Sequence, residues 1–351
     1  MKALIVGGGT GGHIYPLIPV GLELKKRHID VVFVGRKGSI EEKIYNFYGF
    51  RVRYVHASQF DKNVKSAIAF LGNTICGFFD AVSILKEEKP AFVLGGGGYV
   101  SVPLLLSAIL FRIPIFLYEQ NIIPGRTNIL FSRFSKEIFL GFPDEGNYFK
   151  GRGYFTGNPV RKEVLNVDRE RALNFFNFED KFTLLVFGGS GGAYKLNEII
   201  FDILEPILNA DIQVIFITGE RFYSAFKDKV VHRNLRLFPY LNEMGYAYAV
   251  ASLAITRGGA MTLSELVLNG VFSIVIPFPY AVSHHQFYNA KYFERYGVVK
   301  VIEECELSSE MLLKEVLVNR DKIRIMNSGK REVYPVDAEV RMVDRIMESM
   351  R

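Results

Sequence analysis

The sequence predicts an α/β protein of two Rossmann-like, doubly wound domains. Three observations carry that expectation. Short apolar runs of strand type alternate with helical periodicity along the chain. Three of these runs stop in glycine loops, at residues 7–12, 95–98 and 188–192. The loop at 188–192 opens a second half that repeats the strand–glycine–helix start of the first. A length of 351 residues also exceeds what one core of ordinary size holds.

Composition narrows the function classes. Apolar residues make up 49% and charged residues 23%, which is globular rather than disordered. The net charge of +6, from 43 Lys and Arg against 37 Asp and Glu, suits anionic ligands or an anionic membrane surface and gives no case for nucleic acid. Cys76 and Cys305, far apart and without metal-ligand spacing, read as buried thiols in a reducing compartment. Neither a signal-peptide core nor about 20 continuous apolar residues is visible, so a cytoplasmic protein, at most peripheral to a membrane, is expected.

Residues 2–6 form the first expected strand. The glycine loop and His13 follow, then a helix opened by Pro16 and closed by Lys25, Lys26 and Arg27, basic residues that suit a helix C-terminus. Gly7, Gly9 and Gly12 match a dinucleotide fingerprint. The next strand, 31–34, runs into Gly35-Arg36-Lys37 and lacks the acidic residue an NAD(P) site needs. His13 is either a packing residue or a group of the cleft. The strand 92–94 ends in the second glycine loop, and the strand 115–118 ends in Glu119-Gln120-Asn121, polar residues that either cap their loop or share that cleft.

Between residues 60 and 85, Ile68, Phe70, Leu71, Ile75, Phe78 and Phe79 exceed one helical stripe, with Lys62 and Lys65 just before them. Residues 104–112 are similarly rich and end in Arg112. The two segments are a buried helix pair or a basic-rimmed patch that rests on an anionic lipid surface.

Residues 155–161 read as a linker. They divide a first domain, 1–158, from a second, 159–335, with a last helix, 336–351, expected to return to the first. Later strands fall at 183–187, 213–218, 235–241 and 251–255. The last of these runs through Gly258-Gly259 into Thr262-Leu-Ser-Glu265 and a helix. A helix start after a glycine turn is an anion site. The same four residues also match a capping box, so Glu265 either closes its own helix or faces a ligand. A strand at 272–276 then leads to His284-His285-Gln286 and Asn289, just past a strand's carboxyl end, where doubly wound sheets bind ligands. No D-x-D, H-E-x-x-H or C-x-x-C occurs, so no metal is indicated. Gly188-Gly-Ser190-Gly-Gly192 formally fits a nucleophile elbow, for which His284 or His285 would have to serve as partner.

Taken together, residues 8–13, 95–103, 119–121 with Thr127-Asn128, 157–161, 188–190, 257–265 and 285–290 resemble the MurG family in order and over nearly the whole chain. These are the UDP-N-acetylglucosamine:undecaprenyl-pyrophosphoryl-muramoyl-pentapeptide N-acetylglucosaminyltransferases of peptidoglycan synthesis. The resemblance implies a GT-B glycosyltransferase, two domains facing across a cleft, with the UDP-sugar mainly on the second and the lipid-linked acceptor on the first. It places Leu241 at the uracil through its backbone. Ala260, Met261, Thr262, Leu263, Ser264 and Glu265 line the nucleotide, with Glu265 on the ribose and Thr262 capping. Ser190 and Arg161 lie near the diphosphate and sugar, and Gln286 reads sugar hydroxyls. Thr10, Gly11, Gly12 and Asn121 complete the site from the first domain.

The implied reaction is inverting transfer to the muramoyl C4 hydroxyl, with His13 the first candidate for the base and Glu119 the second. No cofactor is required, and a divalent ion is not indicated. The implied place is the cytoplasmic face of the cell membrane. Two departures stand out: Gly191 where many relatives have glutamine, and His285 where some have glutamine. The alternatives are another UDP-sugar transferase or an epimerase of the same fold, and a binding module without turnover.

Overall fold

A computed structural model of the chain describes residues 1–59, 64–189, 192–326 and 333–351, without the side chains of 64–68 and 321–326. Lys62 and Ser190 therefore lie outside the described residues, as do the side chains of Lys65 and Ile68. The chain forms two compact units, Met1–Arg161 with Pro335–Arg351, and Lys162–Tyr334.

The first unit holds seven strands: β1 (Lys2–Val6), β2 (Asp30–Gly35), β3 (Arg51–Tyr54), β4 (Phe92–Gly95), β5 (Ile115–Glu119), β6 (Glu137–Leu140) and β7 (Gly153–Phe155). They lie in the order β3-β2-β1-β4-β5-β6-β7, with every pairing parallel. β1, β2 and β4 are near-continuous apolar runs because helices cover both faces of the sheet. The direction of strand order reverses between β1 and β4, so the loops after these two strands meet at the topological switch point.

The second unit holds six: β8 (Thr183–Phe187), β9 (Gln213–Ile217), β10 (Leu235–Phe238), β11 (Leu253–Thr256), β12 (Phe272–Val275) and β13 (Val299–Val301). The order β10-β9-β8-β11-β12-β13 is again parallel throughout, with its switch point between β8 and β11. Both units are thus doubly wound, as the alternation of elements predicts.

The last helix, Ala338–Ser349, belongs to the first unit and packs on the helix Leu17–Lys26. Met342, Val343 and Ile346 on its inner face are fully buried, each contributing about 1.5–3 kcal/mol. Arg345 adds an ion pair to Glu137 at 2.9 Å.

The helix Val64–Glu88 differs from expectation in two ways. Its segment Ala69–Glu88 is long and apolar enough, with a mean hydropathy of 1.2, to cross a membrane by length and composition. Its exposed apolar stripe is Leu71, Ile75 and Phe79, 62%, 51% and 66% accessible, while Phe70 and Phe78 are half-buried. Spacing of i, i+4 and i+8 puts the three on one face. Toward its C-terminal end Ala81, Ile84 and Leu85 are buried in the sheet core, and Glu88 takes ion pairs from Lys2 and Arg51. Cys76 and Cys305 are exposed, not buried. Cys76 sits beside the open stripe of that helix, which the periodicity alone did not orient.

Candidate active site

In the first unit, both glycine loops stand at the switch point and touch one another. A side chain on Gly98 would lie 2.4 Å from the Gly8 carbonyl, and one on Gly8 would lie 2.9 Å from Val100. Gly97 and Gly98 have φ of +82° and +78°, so glycine is required there on two counts. Beneath Gly7, the fully buried Tyr45 donates its hydroxyl to the Gly7 carbonyl at 2.7 Å. Burial, then the Glu41 charge, holds the phenol well above its ordinary pKa, so it stays a neutral donor. Glu41 lies against Gly8 and pairs with Arg36 at 3.3 Å, and the Arg36 guanidinium lies over the Tyr99 ring at 5.2 Å.

His13 is part of the short helix Gly11–Ile14 that follows the first loop. Its Nδ1 is 2.9 Å from the Gly96 carbonyl oxygen, and its ring rests on Gly97 and Gly98. A carbonyl only accepts, so Nδ1 carries the proton and donates, and the lone pair of the neutral ring is on Nε2. Gly97→Ala would set a Cβ 3.1 Å from Asn128 and 3.3 Å from the imidazole, in a conformation that alanine rarely adopts. It is expected to cost about 1–3 kcal/mol and to lower turnover as well. Gly38→Ala, with φ of +73° but nothing within 4 Å, should lower the melting temperature without touching turnover.

Glu119 is built differently from a base. Its carboxylate is 2% accessible and accepts from the backbone N–H of Asn121 at 3.0 Å and of Gly125 at 2.9 Å, and from Asn128 Nδ2 at 2.8 Å. Asn121 Nδ2 adds a longer contact at 3.4 Å. Three or four donors on one carboxylate close the loop after β5. Glu119 thus shapes the loop and positions Asn121. Thr10 is exposed at the tip of the first loop and makes no side-chain cap, and Gly12 packs against Gln120. Arg161 belongs to the first unit, with its guanidinium over the Tyr15 ring at 4.6 Å and 3.5 Å from the Tyr48 hydroxyl.

In the second unit, the helix Ala260–Leu268 starts after β11 with Gly259 as N-cap and no side-chain cap. This corrects the capping box. Thr262 is the third residue of the helix and caps nothing, because the extended Gly259 already turns the chain into it. Leu263 and Ser264 face the core, and the Ser264 hydroxyl donates to the Ala260 carbonyl at 2.9 Å, so their side chains line no ligand surface. The helix start presents its N–H groups with the half-buried Met261 and Thr262. Glu265 is 7% accessible and accepts from the Tyr248 hydroxyl at 2.7 Å. Tyr248 was missed in the sequence; the one signal was a helix rich in Ala and Tyr just before β11.

Gln286 joins two strand ends: its Oε1 accepts from the N–H of Gly258 at 3.2 Å and of Phe278 at 3.0 Å. With the oxygen so committed, its NH2 is the donor left for other groups. Asn289 Nδ2 donates to the Gly258 carbonyl at 3.3 Å. The buried Arg257 donates to the carbonyls of Ile276 and Pro277 and pairs with Glu304 at 2.5 Å, fixing the β12 end that Gln286 reads. His285 binds the Val282 carbonyl through Nδ1 at 2.8 Å. Leu241, 5% accessible, lies in the loop after β10. In the third glycine loop, Gly189 and Gly192 have φ of +86° and +70°.

Comparison with known proteins agrees with this architecture. The Glycosyltransferase family 28 N-terminal domain matches residues 3–140, and the family 28 C-terminal domain matches residues 183–333. A UDP-N-acetylglucosamine–N-acetylmuramyl-(pentapeptide) pyrophosphoryl-undecaprenol N-acetylglucosamine transferase of Thermoanaerobacter sp. (strain X514) is 36% identical over 96% of this chain and 97% of its own. The crystal structure of Acinetobacter baumannii MurG superposes with a TM-score of 0.75 at 26% identity, covering 99% of both chains. A UDP-GlcNAc 2-epimerase from Neisseria meningitidis, at 16% identity, a TM-score of 0.69 and coverage of 99% and 100%, shares the fold alone. The chain is a glycosyltransferase and belongs to the MurG family within glycosyltransferase family 28.

Proposed function

We propose that the protein transfers N-acetylglucosamine, with inversion, from UDP-N-acetylglucosamine to the muramoyl C4 hydroxyl of the undecaprenyl-pyrophosphate-linked muramoyl-pentapeptide. The identity to a transferase named for this donor and acceptor, over 96% of the chain, carries the reading. The second unit takes the donor. Glu265, held by Tyr248, accepts from the ribose hydroxyls, the backbone at Leu241 meets the uracil, and the N–H groups opening the helix Ala260–Leu268 face the diphosphate with Ser190. These N–H groups, with Arg161, stabilise the charge that builds on the departing UDP. Gln286 donates its NH2 to a sugar hydroxyl. The family resemblance also assigns Thr10, Gly11, Gly12 and Asn121 of the first unit to the sugar and diphosphate.

His13 is the base. It takes the acceptor proton on Nε2 as that oxygen attacks the anomeric carbon, a step worth about 10²–10⁴-fold. The Nδ1–H bond to Gly96 supports this role, because it fixes the tautomer whose proton-accepting lone pair is on Nε2. Incubating the protein with UDP-N-acetylglucosamine and a soluble lipid-linked muramoyl-peptide analogue should release UDP only when both are present. Consumption of the UDP-sugar without acceptor would favour an epimerase instead.

An undecaprenyl acceptor must be met at a bilayer surface, on the cytoplasmic side in this reading. The open stripe Leu71, Ile75 and Phe79 offers such a contact, and Leu106 and Leu110 on the neighbouring helix Ser101–Leu110, with its C-cap Phe111 ahead of Arg112, extend the apolar surface. Core packing of the same helix around Ala81 and Leu85 favours lying on the membrane over crossing it. Leu71→Ser, Ile75→Ser and Phe79→Ser combined should abolish most sedimentation with phosphatidylglycerol vesicles at an unchanged melting temperature. A large fall in melting with vesicle binding kept would make the stripe structural.

A further inference from the structure

We propose that Gln120 is a positioning residue that fixes the tautomer of His13 and raises its basicity, with the side-chain oxygen turned to Nδ1. The inference rests on His13 being the base. Gln120 ends the β5 edge, 93% buried from its 7% accessibility, and its amide terminus reaches 3.5 Å from His13 Nδ1 across 107 residues of sequence. Nδ1 already donates to the Gly96 carbonyl at 2.9 Å. An NH2 group facing that N–H would set donor against donor, while Gln120 Oε1 lies buried without a hydrogen-bond partner. A half-turn of the amide removes both conflicts. The oxygen then shares the Nδ1–H with Gly96, and the two acceptors favour the imidazolium that forms when Nε2 takes a proton. Gly12 permits the approach, since a Cβ there would lie 3.1–3.2 Å from the amide.

The charged groups on the elements packed around His13 are Glu119, one residue before Gln120, Arg161 over Tyr15, and Glu41 with Arg36 under Gly8 and beside Tyr99. All stay in place when only Gln120 changes, so a difference between two Gln120 variants reports on this one contact. Gln120→Glu puts a carboxylate at Nδ1–H, and Gln120→Leu removes the acceptor at similar volume. His13 would be titrated in the full chain by the NMR shift of its Cε1–H, assigned by its loss in His13→Asn. The acidic limb of kcat/KM for the acceptor would be followed alongside.

The expected result is a His13 pKa about one unit or more higher in Gln120→Glu and lower in Gln120→Leu, with the kinetic limb moving the same way and the donor KM constant. An unmoved titration in both variants, with His13→Asn inactive, would overturn the role of Gln120 and leave His13 as base. Near-full turnover of His13→Asn would instead remove the base assignment beneath it. Because the NMR titration needs only folded protein, loss of activity in either variant does not hide the answer.

Discussion

His13→Ala is expected to lower kcat by about 10²–10⁴-fold while UDP-N-acetylglucosamine binds as before. In the proposed reading the uracil and ribose are held by residues of the second unit, so the loss should fall on the chemical step. Alanine also removes the ring that rests on Gly97 and Gly98 and the bond to Gly96. His13→Asn separates the two effects, since its Nδ2 can occupy the place of Nδ1 and keep the donation to Gly96 without supplying a base. Both variants should be equally slow if proton removal is the function, whereas recovery of turnover in His13→Asn would make the residue a loop anchor. In the wild type, activity should fall as the pH drops through the imidazole pKa, because a protonated Nε2 cannot accept. That limb should vanish in His13→Asn.

Glu265→Ala should raise the donor KM roughly 10–100-fold, the weight of one charge-assisted hydrogen bond of about 1.5–3 kcal/mol. Glu265→Gln keeps an oxygen for the Tyr248 hydroxyl and should lose less affinity at an unchanged melting temperature. Tyr248→Phe frees the carboxylate to swing and should raise the same KM modestly. A lower melting temperature in Glu265→Gln with an unchanged KM would return the residue to a purely structural role. The structure already argues against capping as that role, since Gly259 begins the helix and Glu265 lies a turn and a half further on.

Much of the fold was legible because parallel strands buried on both faces are written as unbroken apolar runs, and glycine loops mark where they stop. β1, β4, β8 and β11 were all found in this way, together with the loops that gather at the switch points. What escaped was set by contacts between distant segments. Periodicity counted too many apolar residues between 60 and 85 but could not say that Phe79 would face out while Phe78 turned partly in. The T-x-x-E match at 262–265 gave no warning that the chain would enter its helix three residues earlier, with Gly259 rather than Thr262 as N-cap. Glu119 at a strand end read equally as a loop cap or a group of the cleft, and only the fold shows that the donors occupying it include Gly125 and Asn128, from the turn and helix beyond. Ser190 remains a proposal from resemblance alone.

The most direct test of the central claim is to analyse the product itself. The protein would be incubated with UDP-N-acetylglucosamine and a soluble lipid-linked muramoyl-peptide, and the new glycosidic linkage read by NMR. The expected product is one disaccharide per UDP released, β-linked to the muramoyl C4 hydroxyl, opposite to the α configuration of the donor. A product of retained configuration, or loss of the UDP-sugar with no disaccharide formed, would contradict a single inverting displacement assisted by His13.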